Sequence, residues 1–308
     1  MNFRAILIAT MQTVGLFAAG LIIPVLGQAL ALFTPVPAIL AFIRNGRREG
    51  SAVLIASTAL SAALGGWQSS LIFFFSFALM AVGAAEGMRR AMKPEQVALL
   101  GGLLPVGAIA ILLSFYFIKI GKNPLEYMEA FLRSSIAEAA KLYTSMGMAE
   151  MASMAASIPD KFIYYFVRLA PGMVIATSVL QAACCYGMSR IMLARKQETP
   201  SFAGPAFGVW HAPDSWVWGL ILSLSLIIIP HETARLVGWN LAILFAVVYL
   251  AQGSAIIEFQ LKKTRFKPFA RGLIIGLLLA LPAIVFVVAL GIVDIWADVR
   301  KVRGPVQP

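Results

Sequence analysis

Three polar side chains each lie inside a long apolar segment. Arg168 stands three residues before Pro171 in one segment, and Asn240 and Gln252 share another. Polar groups inside a bilayer are costly and tend to face the interior of a helix bundle. Arg168 is predicted to extend to the interface, to pair with an acid or to hold an anionic ligand. Asn240 and Gln252 are predicted either to make interhelical hydrogen bonds or to line a path for a ligand or water. All three are candidate ligand-binding residues.

The stretch LGIVDIWADVRKVR near the C-terminus also combines acidic, basic and aromatic residues. The preferred interpretation is an interfacial anchor, with Trp296 at headgroup level and Arg300 on lipid phosphates. In the alternative, Asp294 pairs with an arginine inside the bundle. Asp294, Trp296 and Arg300 are therefore candidate interface residues.

A loop rich in proline, glycine and aromatic residues, KQETPSFAGPAFGVWHAPDSW, contains the remaining candidates. Tryptophan is enriched at membrane interfaces, so Trp210 and Trp216 suit that level. With Asp214 they form a candidate contact surface for a protein partner at the cytoplasmic loops.

Motifs for other chemistry do not occur in the sequence. It contains no Walker A, GxSxG, HExxH or CxxC pattern. The two histidines are too few for a histidine-rich metal site, and Cys184 and Cys185 are expected to pack as buried thiols in an apolar segment. We predict no enzymatic activity, no catalytic residue, no metal and no cofactor.

The elements that carry these residues must be membrane helices. Of the 308 residues 60% are hydrophobic and 13% are charged, and the mean hydropathy is +0.85. A soluble domain could not cover so much apolar surface. The net charge of +11 is concentrated in short clusters between apolar segments, a pattern that indicates membrane topology rather than nucleic-acid binding.

A helix needs about 20 apolar residues to cross a bilayer core of roughly 30 Å. Nine segments are candidates, although eight spans are an alternative: Ala5 to about Ile22, Pro24 to Ile43, Ala52 to Gly65, Ser69 to Ala85, Val97 to Ile120, Phe162 to about Cys185, Trp216 to Ile229, Val237 to Ile257, and Gly272 to Ile292. The first two are predicted to form a hairpin near Pro24 to Gln28, with a broken or re-entrant helix as the alternative.

Gly253 and the GLIIG stretch, Gly272 to Gly276, are predicted to allow close helix packing. The predicted fold is an all-α polytopic bundle of about nine spans.

Basic clusters occupy every second loop, which predicts that those loops are cytoplasmic. The clusters are Arg44, Arg47 and Arg48; Arg89, Arg90 and Lys93; Arg190, Arg195 and Lys196; and Lys262, Lys263, Arg265, Lys267 and Arg271. The N-terminus is then cytoplasmic, and a last crossing would put Asp294 to Pro308 outside. We expect a multi-pass protein of the bacterial inner membrane with one membrane domain, residues 1–308, and a cytoplasmic loop, residues 194–215.

Residues 121–159 are predicted to form an outer amphipathic segment. Leu125, Met128, Leu132 and Ile136 recur at helical spacing, with charged residues largely between them. This helix is expected to lie on the outer face of the bundle or of the membrane.

Three stretches together resemble the YybS-like family of bacterial multi-pass membrane proteins, a domain of unknown function. They are PSFAGPAFGVWHAPDSWVWG, NLAILFAVVYLAQGSAIIEF and LGIVDIWADVRK. That family is in turn similar in fold to the substrate-binding subunits of energy-coupling-factor transporters. The resemblance implies a bundle that binds or helps to move a small solute, with energy from a partner. The alternative is a scaffold or assembly protein that docks a partner, because fold alone does not define function.

Overall fold

The computed structural model describes residues 3–24, 26–195, 205–264, 266–280 and 283–301, and the regular elements within these ranges are all helices. Six helical stretches are long and apolar enough to cross a membrane: Phe3–Ile22, Leu26–Asn45, Arg47–Arg89, Pro94–Ile120, Asp160–Arg195 and Glu232–Lys263. The predicted all-α class with several membrane helices is confirmed. The predicted count of nine spans is not reproduced.

The α-helices are numbered in chain order: α1 (Phe3–Ile22), α2 (Leu26–Ala31), α3 (Pro35–Asn45), α4 (Arg47–Phe73), α5 (Leu79–Arg89), α6 (Pro94–Ile120), α7 (Pro124–Ser145), α8 (Ala149–Ala156), α9 (Asp160–Arg195), α10 (Trp216–Ile228), α11 (Glu232–Lys263), α12 (Pro268–Ala280) and α13 (Ile284–Ala297). A π-helical turn, Phe74–Ala78, joins α4 to α5, and a short 3₁₀ helix, Phe207–Val209, precedes α10. The buried apolar core is built mainly by α1, α3, α4, α5 and α9. Outside this core, α11 packs against α9, α10 and α13.

The longest helical stretch, residues 47–89, folds back on itself. A straight helix of 43 residues would be about 65 Å long, yet Nη2 of Arg47 lies 2.6 Å from Oε1 of Glu86. The reversal occurs at Gly65 and Gly66, where the φ of Gly66 is +75°, a conformation that glycine adopts without steric cost. The stretch therefore supplies two apolar segments joined by a turn, as the sequence predicts.

The chain also turns back after α1. The side chain of Gln28 donates a 2.7 Å hydrogen bond to the carbonyl of Gly20, eight residues earlier. In a continuous helix these residues would be about 12 Å apart along the axis. The predicted hairpin near Pro24 to Gln28 is therefore the observed arrangement.

The last predicted span, Gly272 to Ile292, is wrong as a single helix. The structure has two helices, α12 and α13, of 13 and 14 residues, and each is only about 20 Å long. The sequence has Pro282 between them, and proline removes a backbone donor that a continuous helix needs.

The described residues of the basic clusters lie at one end of the bundle, which we call the basic end. Four contacts join the segments there: Arg89 to the carbonyl of Phe42, Arg47 to Glu86, Trp210 to Glu95, and Arg190 to the carbonyl of Pro205. Arg168 precedes Arg190 on α9 by 22 residues, or about 33 Å of helix, so it lies near the opposite end, which we call the outer end.

The last described residues, Arg300 and Lys301, also lie at the basic end, rather than at the opposite end where the predicted last crossing would put them. Arg271, near the start of α12, pairs with Glu258 at 2.5 Å. Beyond α13, Arg300 donates to the carbonyl of Gly208. Gly208 in turn lies beside Glu258 and Phe259, near the C-terminal end of α11. The α12–α13 pair therefore leaves the basic end and returns to it, and Arg300 and Lys301 then follow the same charge rule as the loops. Residues 302–308 of the predicted tail are outside the described part of the chain.

Candidate functional site

The carboxylate of Asp294 is the centre of a buried polar network at the basic end. Its Oδ2 accepts hydrogen bonds from Nη2 of Arg300 at 2.8 Å and from Nε2 of Gln252 at 3.1 Å. Its Oδ1 accepts from the backbone N–H of Val299 at 2.9 Å. The network thus joins α11, α13 and the turn that follows α13.

A local turn makes this pairing possible. The helix α13 ends at Ala297, and Asp298 adopts a left-handed conformation with φ of +37°. Its backbone N–H donates to the carbonyl of Asp294 at 3.2 Å. Because the chain reverses here, the Arg300 side chain points back to the carboxylate six residues earlier.

The same side chains bind the irregular backbone of the loop before α10. Arg300 donates through Nη1 to the carbonyls of Gly208 and Trp210, at 2.8 and 2.9 Å. Oε1 of Gln252 accepts from the N–H of Ala212 at 3.1 Å. Buried backbone groups outside a helix need such partners, so this network holds the loop in place. Residues 196–204 of the predicted loop lie outside the described residues.

Close packing of α11 and α13 brings Gln252 to Asp294. A Cβ atom at Gly253 would overlap the carbonyl oxygen of Val287, and one at Gly291 would overlap that of Tyr249. The predicted close approach at Gly253 is therefore confirmed. The predicted packing role of GLIIG is not, because a Cβ at Gly272 or Gly276 would meet no described atom within 4 Å.

The anchor interpretation of the C-terminal stretch is wrong for two of its three residues. The side chains of Asp294 and Arg300 are 2% and 0% exposed, whereas Trp296 is 71% exposed. Two residues that are two positions apart on a helix point in nearly opposite directions, because each residue adds about 100°. Asp294 therefore faces the bundle and Trp296 faces outward. As in the alternative interpretation, Asp294 is buried and paired with an arginine, but the partner is Arg300 of the same stretch and not an arginine of another bundle helix.

A shallow recess lies beside this network. It is lined by Ala212, Pro213, Asp214, Val217, Tyr249, Gln252 and Ile295. Its empty volume is about 160 Å³, which includes space open to solvent, and ligand pockets usually enclose about 300–1,000 Å³. Trp216, another predicted interface residue, is the first residue of α10. The structure therefore brings Trp210 and Asp214 together with Gln252, Asp294 and Arg300.

Arg168 belongs to a second cluster at the outer end. It forms an ion pair with Glu129 of α7, and the two side chains are 20% and 18% exposed. Its guanidinium carbon lies 3.4 Å from the ring centroid of Tyr164. The hydroxyl of Tyr164 donates to Glu232 of α11 at 2.6 Å. Of the three alternatives for Arg168, pairing with an acid is the observed contact.

Asn240 fills a break in the hydrogen bonding of α9. In a regular helix the N–H of Gly172 would donate to the carbonyl of Arg168, but Pro171 disturbs this turn. Instead, Gly172 donates to Oδ1 of Asn240 at 2.7 Å, and Nδ2 of Asn240 donates to the Arg168 carbonyl at 3.0 Å. Asn240 thus makes the interhelical hydrogen bonds that were one of its two predicted roles.

Sequence reasoning missed Glu129 and Tyr164 as partners of Arg168. Glu129 is partly buried on the same side of α7 as Leu132 and Ile136. A carboxylate on the apolar face of an amphipathic helix was the signal that could have identified it. The backbone partners at Gly208 and Ala212 had no comparable signal, because any residue carries those groups.

Long apolar helices, polar groups paired inside the bundle and basic residues gathered at one end define an integral membrane protein of the helical class. The chain belongs to the family described as "Predicted membrane protein (DUF2232)", whose model matches residues 12–295. This agrees with the resemblance to the YybS-like family. No curated protein and no solved structure matches the chain.

Proposed function

We propose that this protein is a scaffold or assembly protein of the bacterial inner membrane, with its basic end in the cytoplasm. We expect a protein partner to bind residues 205–215 together with the turn at residues 298–301, and we call these two segments the docking surface.

The observation that carries the proposal is how the polar side chains of the membrane helices are used. Arg168 pairs with Glu129, Asn240 binds the backbone of α9, and Gln252 binds Asp294 and Ala212. Each candidate ligand residue thus already contacts another part of the chain, as expected if these residues hold a bundle together.

A second feature supports the choice of surface. The backbone of residues 208–212 is held by Arg300 and Gln252, yet His211, Asp214 and Ser215 are exposed. A loop that is already ordered loses little conformational entropy when a partner binds. Such a loop is therefore suited to protein recognition.

The proposal can be tested by photo-crosslinking in intact cells. A photoreactive phenylalanine analogue at His211 is expected to give one or a few discrete protein adducts, which mass spectrometry would identify. The matched control is the same analogue at Leu222, an exposed residue on α10, where only lipid adducts are expected. Adducts with lipid alone at both positions would contradict the proposal.

A small-solute binding function, with energy supplied by a partner, is the second candidate. It is favoured by Nε of Arg300, a buried donor without a hydrogen-bond partner. Native mass spectrometry of the purified protein would then show a co-purifying small molecule. That molecule should be lost in Gln252→Leu and retained in Asn240→Leu.

A further inference from the structure

The outer helix α7 leaves part of its apolar surface uncovered. It has no fully buried residue, and one side of it is partly buried against the bundle. That side carries Glu129, Leu132, Ile136, Ala139, Ala140 and Tyr143. At 100° per residue these six residues span an arc of about 100°. The small Ser135, about 40° beyond Ala139, is partly buried as well.

A second apolar arc adjoins the first but faces away from the bundle. Met128, Phe131 and Leu142 are 47%, 59% and 59% exposed. On the helical wheel they span about 60°, and the gap to Ala139 is only about 20°. The polar side of α7 begins at Arg133, next to the bundle-facing arc and on the opposite side of it from Met128. It continues around the helix to Lys141. The apolar surface of α7 is therefore wider than the bundle covers.

The contacts of α7 show its level relative to the membrane helices. The ring of Tyr127 packs edge-on against Phe117, with centroids 5.6 Å apart, in the last turns of α6. Nζ of Lys122 lies 5.6 Å from the Tyr127 ring centroid. Tyrosine and lysine side chains are typical of the level where hydrocarbon gives way to headgroups.

Large apolar side chains are also exposed on the spanning helices at this end of the bundle. Phe115 and Tyr116 on α6 and Phe162 on α9 are large exposed side chains at the same end of the bundle. Met151 and Met154 on α8 are exposed as well. Two spanning helices therefore expose large apolar side chains at the end of the bundle where α7 lies, which favours lipid as the neighbour of its uncovered arc.

We propose that α7 lies in the membrane interface at the outer end, with Met128, Phe131 and Leu142 in contact with phospholipid acyl chains of that leaflet. The bundle-facing arc, with the partly buried Leu132 and Ile136, is joined to α9 by the Glu129–Arg168 pair, and Arg133 at the start of the polar side pairs with Asp160 of α9. The partner of this surface is thus the lipid bilayer. A helix with a wide apolar arc and a charged opposite side has the properties required for such binding.

Spin labelling in phospholipid vesicles tests this proposal. In a protein with Cys184 and Cys185 replaced by alanine, single nitroxide labels are attached at Phe131→Cys and, as a second reporter, at Leu142→Cys. The matched control is Ala137→Cys, an exposed residue on the polar side of α7. Collision rates are measured with oxygen, which concentrates in lipid, and with a water-soluble nickel complex.

The labels at 131 and 142 should collide several-fold more with oxygen than with nickel, relative to the label at 137. Higher nickel accessibility at both positions would mean that the arc faces water, and would overturn the proposal in favour of a missing protein partner. Strong spin–spin broadening at both positions would assign the arc to a second copy of the chain, which also overturns it.

Discussion

Two arginines at opposite ends of the bundle show how differently one residue type can be held. Arg300 at the basic end has a fully buried side chain that donates to Asp294, Gly208 and Trp210. Arg168 at the outer end is 20% exposed and contacts Glu129 and Tyr164. Both are paired with a carboxylate, but only Arg300 is shielded from water on all sides.

The difference decides which pair the fold depends on. When one partner of a buried ion pair is removed, the protein loses several kcal/mol of stability, because neither water nor a counter-charge solvates the charge that remains. A partly exposed charge is rehydrated when its partner is removed, so the loss of stability is smaller. The basic-end network should therefore be sensitive to single changes, and the outer-end cluster should tolerate them. The basic-end network also orders a loop, while Arg168 joins two helices that make further contacts.

The largest expected effect is a difference in chemical labelling between the two ends of the bundle, because we expect the basic end and the outer end to lie on opposite sides of the membrane. Single cysteines at Lys301 and Thr264 should behave alike towards a membrane-impermeant maleimide, because both residues are at the basic end. Both should be labelled only after permeabilisation, whereas Ser145→Cys should be labelled in intact cells. Labelling of Lys301→Cys together with Ser145→Cys would show that the C-terminus crosses to the outer end.

Removing the buried cation should destabilise the protein strongly. Arg300→Met leaves Asp294 buried without its counter-charge, and the expected loss is about 3 to 5 kcal/mol. Thermal unfolding in detergent measures it. The double variant Arg300→Met with Asp294→Leu should recover much of the loss because no charge is then stranded. Trp296→Ala is the control, and a larger effect of this exposed residue would restore the anchor interpretation.

The next largest loss of stability is expected where α11 packs closely against α13. Gly253→Ala places a Cβ against the Val287 carbonyl, and overpacking of this kind costs about 1 to 3 kcal/mol. The matched control is Gly276→Ala, where the added atom meets no described neighbour and stability should be kept or slightly raised. Equal melting temperatures for the two variants would refute the observed helix contact.

The smallest effect is expected at the outer-end pair. Arg168→Gln, Glu129→Gln and the double variant form a double-mutant cycle. We expect a coupling energy of about 1 kcal/mol or less, because both side chains keep some exposure, unlike those of Asp294 and Arg300. A coupling as large as that of Asp294 with Arg300 would mean that α7 shields the pair far better than its exposure indicates.

Local sequence patterns were sufficient for the class of protein, most helical segments and the turn between residues 52–65 and 69–85. Hydropathy and helical periodicity depend on neighbouring residues along the chain, so they are readable without a structure. The gathering of the basic clusters at one end also followed from their spacing. The amphipathic character of α7 was visible for the same reason.

Tertiary structure alone decided which groups meet. Gln252 binds Asp294 from 42 residues away and Ala212 from 40 residues away, and the same amide could have lined a solute path in another packing. The side of the C-terminus depended on whether residues 272–292 form one helix or two. The burial of Arg300 depended on a left-handed turn at Asp298 that turns its side chain back to Asp294. These outcomes arise from helices packing in three dimensions, where partners remote in sequence compete for each polar group, and a single sequence does not record that competition.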